Sequence, residues 1–427
     1  MLEKTFCSSP WFHMTIQKDG SMQYCRWQVT NPTIHNIKTI SVEDYFQKVL
    51  ASIRIDMLNG KTIPGCYSCH KMERHGKISG RQKQLLKTGI LEKNFTNSFR
   101  SSPYFDKIKD SFASKGLTDL LPVDWQVHLG NYCNSACMMC VPSSSSKLAN
   151  EWHKLGLIKE KYISNNWSED DEALDKFFEI LKKTKKIRYL HLLGGETILM
   201  PAFEKILKFL IQNNMHKTVT LGFTTNLTVY PKKIIELLKQ FTYLHVGLSI
   251  ETLDKLNDFI RWPSHIDNVR TNLDKFVTLA KEKKWVVSLR TTPTLLSVGR
   301  MLPLYKYALE KNIGIEACDF LYEPAYLKIN LLPKELRKPM IKEIEDFLKQ
   351  NNYKPQEQIL NVRNPSTVKD YVYQDLISYK NYLINEPYDR SNEKQFVNFV
   401  KKIENSRKQK VTDYIPEYEN FFRNIGY

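Results

Sequence analysis

At 427 residues, 42% apolar and 12% aromatic, the chain is too long for one hydrophobic core and rich enough in apolar residues for two or three packed units. It has no apolar run of roughly 18 residues and no charged leader followed by an apolar stretch, which excludes a membrane-spanning or exported class and sets the expectation of a soluble, cytoplasmic protein with no membrane partner. The formal charge of +17, from 63 basic and 46 acidic residues, is spread along the chain with one concentration, ten basic against three acidic residues between Lys71 and Lys109, which suits an acidic partner or nucleic acid and equally a solvated face.

The first hundred residues carry four of the eight cysteines: Cys7, Cys25 and the CxxC pair Cys66 and Cys69. Asp19-Gly20, between two short β-like runs, predicts a hairpin turn that brings Cys7 and Cys25 together at the base of a two-stranded ribbon. Clustered thiols in a chain without an export leader point to metal or redox chemistry rather than disulfides. Tetrahedral zinc and a four-cysteine iron-sulfur cluster both satisfy this spacing. Residues 101–121 read as a linker.

From residue 122 to 330 short β-branched or aromatic runs alternate with longer amphipathic ones, the pattern of strand-helix units and a parallel sheet. Six strands are expected: Val123 to Gly130, Ile187 to Leu193, Thr218 to Thr224, Tyr243 to Ile250, Trp285 to Thr291 and Gly314 to Leu321. Helices are expected over Asp170 to Lys183, Pro201 to Asn213 (proline in its first turn), Asp267 to Glu282 and Pro303 to Lys311.

Just after the first of these strands stands Cys133-Asn134-Ser135-Ala136-Cys137-Met138-Met139-Cys140. Three thiolates do not complete a four-ligand shell. Either a further group such as His128 closes a zinc site, or a four-iron cluster keeps one iron open. In strand-helix barrels chemistry sits on the loops after the strands. There the sequence places this triplet, Gly194-Gly195-Glu196, Thr225-Asn226, Ser249-Ile250-Glu251 and Thr291-Thr292. Cys318 stands alone on the sixth strand and reads as a buried free thiol, with a ligand role as the sharper alternative. Residues 331–427 begin as helix, become rich in tyrosine and lysine and carry no catalytic motif; position alone makes them a closure of the barrel or a cover for substrate.

CxxxCxxC after a strand, followed by Gly194-Gly195-Glu196, resembles the radical S-adenosylmethionine (SAM) enzymes. The resemblance implies an α/β fold, a partial (β/α)6 TIM-type barrel over 122–330, with a [4Fe-4S] cluster on Cys133, Cys137 and Cys140. SAM would bind the open iron and be cleaved to a 5'-deoxyadenosyl radical. It further implies that Gly194, Gly195 and Glu196 receive the amino group of SAM, that Asn226, Ser249 and Glu251 take its ribose and methionyl parts, and that Arg261 pairs with its carboxylate. Met139 stands where relatives carry an aromatic residue whose main chain meets the adenine.

Cys7, Cys25, Cys66 and Cys69, with Glu73, Gly76, Ser79 and Arg81 trailing the CxxC, resemble a twitch domain, the shortened SPASM domain, here over residues 1–100 and before the barrel. That implies a small cysteine-rich α+β domain with a second, auxiliary [4Fe-4S] cluster. Enzymes with such domains most commonly modify peptides or proteins, so a peptide is the first expectation and a small molecule the next. A reducing donor such as flavodoxin or ferredoxin would serve the clusters. RNA modification, motivated by the basic segment, is less favoured. A non-catalytic zinc-binding adaptor is the alternative of a different class.

Overall fold

The computed structural model describes the chain except residues 1, 29–34, 75–78, 91–94, 161–165, 318–320, 322 and 354–366. Cys318 and Gly76 therefore lie outside the described residues.

Strands β1 (His13–Ile16), β2 (Met22–Gln23), β3 (Asp124–His128), β4 (Tyr189–Leu193), β5 (Thr220–Thr225), β6 (Tyr243–Ser249), β7 (Val286–Arg290) and β8 (Gly314–Glu316) form one sheet in the order β2-β1-β3-β4-β5-β6-β7-β8. β3 to β8 are the six strands expected from the sequence, and the pairs β3–β4, β6–β7 and β7–β8 run parallel. The expected ribbon is present, with β1 antiparallel to β2 and Gly20 at its turn. β1 also pairs in parallel with β3, His13 opposite Asp124 through Ile16 opposite Val127, so the ribbon extends the main sheet. No short-range sequence signal marks that pairing.

The chain divides into two compact units. The first comprises Met1–Gly130, Asn165–Gly222 and Gln240–Tyr243. Its helices include α1 (Ser9–Phe12), α2 (Tyr67–Arg74), α3 (Gly80–Lys87) and α4 (Phe105–Ala113). α4 occupies the stretch read as a linker: buried Ile108 anchors it, and Trp11 Nε1 donates to Ser111 Oγ at 2.8 Å. The second comprises Asn131–Ser164, Phe223–Lys239 and Leu244–Tyr427 and begins its helices with α5 (Ser146–Lys154).

Back in the first unit, α6 (Asp171–Lys183) forms because Asp170 caps it, accepting from Ala173 N at 3.1 Å, with acidic residues in its first turn and lysines in its last. It buries Leu174, Phe177, Ile180 and Leu181, each burial stabilising by about 1.5–3 kcal/mol. α7 (Pro201–Gln212) starts on a proline that gives up no needed N–H.

In the second unit follow α8 (Leu256–Ile260), α9 (Ile266–Lys283), α10 (Met301–Lys311) and, in the C-terminal extension, α11 (Glu393–Arg407). Strand alternation gives this part of the sheet two unlike faces. Leu244, Val246, Leu248, Val287, Leu289 and Ile315 are buried on one, whereas Ser249, Ser288, Arg290 and Glu316 lie on the other. Arg290 and Glu316 stand opposite each other in register and form an ion pair.

Among the described residues no helix is long and apolar enough to cross a membrane.

Candidate cluster and cofactor site

β3 ends at His128, and Leu129 N still donates to Leu193 O at 2.7 Å, so the chain leaves the sheet at Gly130 and enters the cysteine loop. The loop is irregular and is shaped by bonds to the rest of its unit. Ala136 N donates to Trp262 O at 2.6 Å and Met138 N to Ile260 O at 2.9 Å, a two-rung ladder against the end of α8. Ser145 Oγ donates to Ser135 O at 2.6 Å, and Ser146 N to Asn131 O at 2.8 Å. Asn226 Nδ2 donates to Asn134 Oδ1 at 2.8 Å and to Ser135 Oγ at 3.0 Å. Asn226 thus braces the loop, a use its sequence position does not announce. Cys133 and Cys140 are half-buried and Cys137 is buried. Met139 is half-buried.

Arg261 follows α8, and its N–H donates to Asn257 O at 2.8 Å. Its guanidinium grips Glu251, Nε and Nη2 lying 3.1 and 2.6 Å from Oε1. Oε2 of the same carboxylate accepts from Thr291 Oγ1 at 2.8 Å and Thr292 N at 2.9 Å. Glu251 is wholly buried with both oxygens occupied, so within this unit it orients Arg261. The remaining arm, Nη1, donates to Cys137 Sγ at 3.8 Å. Burial works to lower the Arg261 pKa, but the Glu251 carboxylate and the Cys137 and Cys140 sulfurs outweigh it and hold the guanidinium firmly charged. Ser249 lies at the end of β6, across from Arg290.

In the first unit, Gly194-Gly195-Glu196 follows β4 directly. A Cβ at Gly194 would come 2.3 Å from Met200 Sδ, so the absent side chain there makes room for Met200. Glu196 is 1% exposed and immediately precedes the short turn Thr197–Leu199 that leads into α7.

The same unit gathers the upstream cysteines. Cys7 and Cys69 are buried, Cys25 and Cys66 half-buried. Burial pushes the Cys7 thiol up to about 12 and the Cys66 and Cys69 sulfurs add to the rise. Burial likewise raises Cys25, with Cys7, Cys69 and Cys66 contributing, so the four sulfurs sit within electrostatic reach of one another. Tyr24 Oη lies 3.5 Å from Cys66 Sγ, and Trp27 N donates to Cys25 Sγ at 3.3 Å. Of the trailing residues, Arg81 binds Glu73 through Nε and Nη2, both at 2.9 Å, and donates from Nη1 to Phe6 O at 3.1 Å, next to Cys7. Ser79 Oγ completes the group by bonding Glu73. A Cβ at Gly80 would lie 2.1 Å from Trp27 Cδ1, so the indole packs on bare backbone there.

Buried thiols that raise one another's pKa are poor neighbours until a cation holds them as thiolates, and the upstream cysteine set fits a metal centre in that sense. Among the described residues no three His, Cys, Asp or Glu side chains are grouped as one metal ion would need.

Residues 127–292 match the family described as the Radical SAM superfamily. That span includes the cysteine loop, Gly194 to Glu196, Asn226, Ser249, Glu251 and Arg261. Residues 127–292 thus carry a domain of the radical SAM superfamily, a family that uses SAM and a [4Fe-4S] cluster. No curated protein matches the chain. Similar solved structures include SuiB of Streptococcus suis bound to S-adenosylmethionine, 18% identical with a TM-score of 0.36 over 74% of this chain and 66% of that one. SuiB bound to its precursor peptide SuiA is 17% identical with a TM-score of 0.38, covering 67% and 60%. Native anSMEcpe with bound AdoMet is 17% identical with a TM-score of 0.37, covering 52% and 60%. The chain thus spans about two thirds of SuiB and three fifths of anSMEcpe in these matches.

Proposed function

We propose that Cys133, Cys137 and Cys140 hold the [4Fe-4S] cluster that binds SAM, that Cys7, Cys25, Cys66 and Cys69 hold an auxiliary [4Fe-4S] cluster, and that the substrate is a peptide or protein. The observation that carries the first assignment is the N–H···S contact from Arg261 to Cys137, with Glu251 holding the guanidinium in place. When bound, the reduced cluster supplies the electron that cleaves SAM, and the family uses the resulting radical to take a hydrogen atom from substrate.

Each residue then has a defined task. Arg261 directs positive charge at the cluster sulfurs and is placed to receive the SAM carboxylate, a role suited to a fork of donors. Glu251, saturated by four donors, positions Arg261. Asn226 fixes the loop between the first two cysteines. Gly194, Gly195 and Glu196 receive the SAM amine, Ser249 faces the ribose or methionyl part, and Met139 presents backbone to the adenine. Residues 1–100 serve as the auxiliary-cluster domain, 122–330 as the radical SAM core, and flavodoxin or ferredoxin as donor.

The four coupled thiols, and the Glu73–Arg81 pair tied to the residue before Cys7, support the auxiliary site. The peptide assignment rests on the common use of such domains. Anaerobic reconstitution tests the whole reading. The expected result is about eight irons per chain and release of 5'-deoxyadenosine from SAM by the dithionite-reduced protein. Stoichiometric zinc without SAM cleavage would sink it.

A further inference from the structure

We infer that Arg407, the last residue of α11, is a positioning residue for the cysteine loop, so that the C-terminal extension belongs to the cluster-binding apparatus; this rests on Cys133, Cys137 and Cys140 holding the cluster as proposed above. Arg407 comes from a segment with no motif, and its side chain is 0% exposed. Nε and Nη2 donate to the two carboxylate oxygens of Glu151 at 2.9 and 2.8 Å. Nη2 also donates to Ala136 O at 2.7 Å, and Nη1 to Phe259 O at 2.9 Å. The guanidinium carbon lies 5.2 Å from the centre of the Trp262 ring.

The two carbonyls it serves define its task. Ala136 immediately precedes Cys137, and Phe259 lies two residues before Arg261. These segments are already joined by the bonds from Ala136 N to Trp262 O and from Met138 N to Ile260 O. Arg407 adds a clamp across both, and so holds the backbone on either side of the Arg261–Cys137 contact. Its partner Glu151 sits on α5, the helix that follows the cysteine loop. Satisfying a carboxylate and two carbonyls at once needs a planar fork of donors, which a lysine ammonium does not have.

The surrounding contacts hold α11 in register. Phe399 meets Trp152 edge-on at 5.8 Å, Lys402 Nζ donates to Leu155 O at 3.1 Å, and beyond the helix Tyr414 packs on Phe259 at 5.2 Å. Groups that orient metal-binding loops without touching the metal tune affinity and potential.

The test uses the full chain as wild type, Arg407→Met, Arg407→Lys and Glu151→Gln. In metal-free protein, hydrogen exchange of peptides covering residues 131–141 and 257–262 should rise by about tenfold or more in Arg407→Met, while β3 and β4 stay protected. After reconstitution the spectrum of the reduced three-cysteine cluster should change, and substrate-free SAM cleavage should fall by about 10–100-fold. Arg407→Lys and Glu151→Gln should move the same readouts in the same direction by less, and they carry the test if Arg407→Met does not fold. Wild-type exchange and spectrum in all three variants would overturn the inference, as would exchange raised equally throughout the chain. Because exchange is read without metal, failure of the cluster assignment itself appears separately, as wild-type protein that takes up no iron on Cys133, Cys137 and Cys140.

Discussion

Arg261 Nη1 lies 3.8 Å from Cys137 Sγ, the distance of an N–H···S hydrogen bond from a charged donor. Such a bond stabilises the more negative, reduced form of a cluster held by that sulfur. Arg261→Met should therefore lower the midpoint potential of the three-cysteine cluster and weaken SAM binding, with SAM cleavage reduced by about 10–100-fold. Arg261→Lys keeps the charge but cannot bind Glu251 and reach the sulfur together, and should fall between. Potentiometric titration followed by EPR checks this, and an unchanged potential in Arg261→Met would contradict it.

Glu251 makes a separate prediction, on stability. It is fully buried, its partner Arg261 is only 13% exposed, and its carboxylate takes two of the guanidinium's three arms while the third meets thiol sulfur. Removing one member of such a pair leaves a buried charge uncompensated. Glu251→Leu should cost about 3–5 kcal/mol, and Glu251→Gln less, since an amide oxygen still accepts from Arg261. Urea unfolding of the metal-free variants measures the loss. A change within experimental scatter for Glu251→Leu would show that the pair does not hold this region.

Much of this architecture is legible in the sequence because it is local. The six strands β3 to β8 and the cap and apolar face of α6 follow from periodicity and capping, which need no knowledge of distant contacts. The cysteine loop and Gly194 to Glu196 are legible as contiguous motifs. What is not legible depends on pairing across long separations. The four residues of β1 carry nothing that names Asp124 to Val127 as partners, and α4 hides in a stretch whose turns resemble a linker. Glu251 carries no local sign that Thr291 and Thr292, forty residues on, bond its second oxygen. Arg407 is one basic residue among many, and only its 0% exposure and its reach to Ala136, 271 residues away, reveal it.

Two histidines of the first unit predict a pH dependence. Burial holds the His13 imidazole down to about 3, with Asp124 opposing and Arg26, Lys87 and Arg188 reinforcing the shift. Burial, with Lys18, holds His128 down to about 4. The unfolded chain takes up a proton on each near pH ~6.5, whereas the folded chain does so only near these lower values. Stability from the neutral imidazoles is therefore fully present above about pH 6.5 and declines as pH falls toward 4 and then 3. The urea midpoint should drop between pH 7.5 and 5, and the double variant His13→Asn, His128→Gln should flatten that slope. An equal slope in wild type and variant would refute the assignment.

The auxiliary thiols separate two activities that the three-cysteine loop alone does not. Cys69 is buried beside three other sulfurs in the first unit, whereas Arg261, Glu251 and the cysteine loop all lie in the second. Cys69→Ala should therefore reduce iron from about eight to about four per chain while SAM cleavage without substrate continues, and product formation should stop. Cys137→Ala should abolish 5'-deoxyadenosine release outright. Arg81→Met offers a milder form of the first lesion, because Arg81 joins Glu73 to the carbonyl of Phe6 without carrying a sulfur. It should loosen the auxiliary iron, read as faster loss to a chelator, and leave the other cluster's spectrum unchanged. Product formed at the wild-type rate by Cys69→Ala would remove the auxiliary cluster from the reaction.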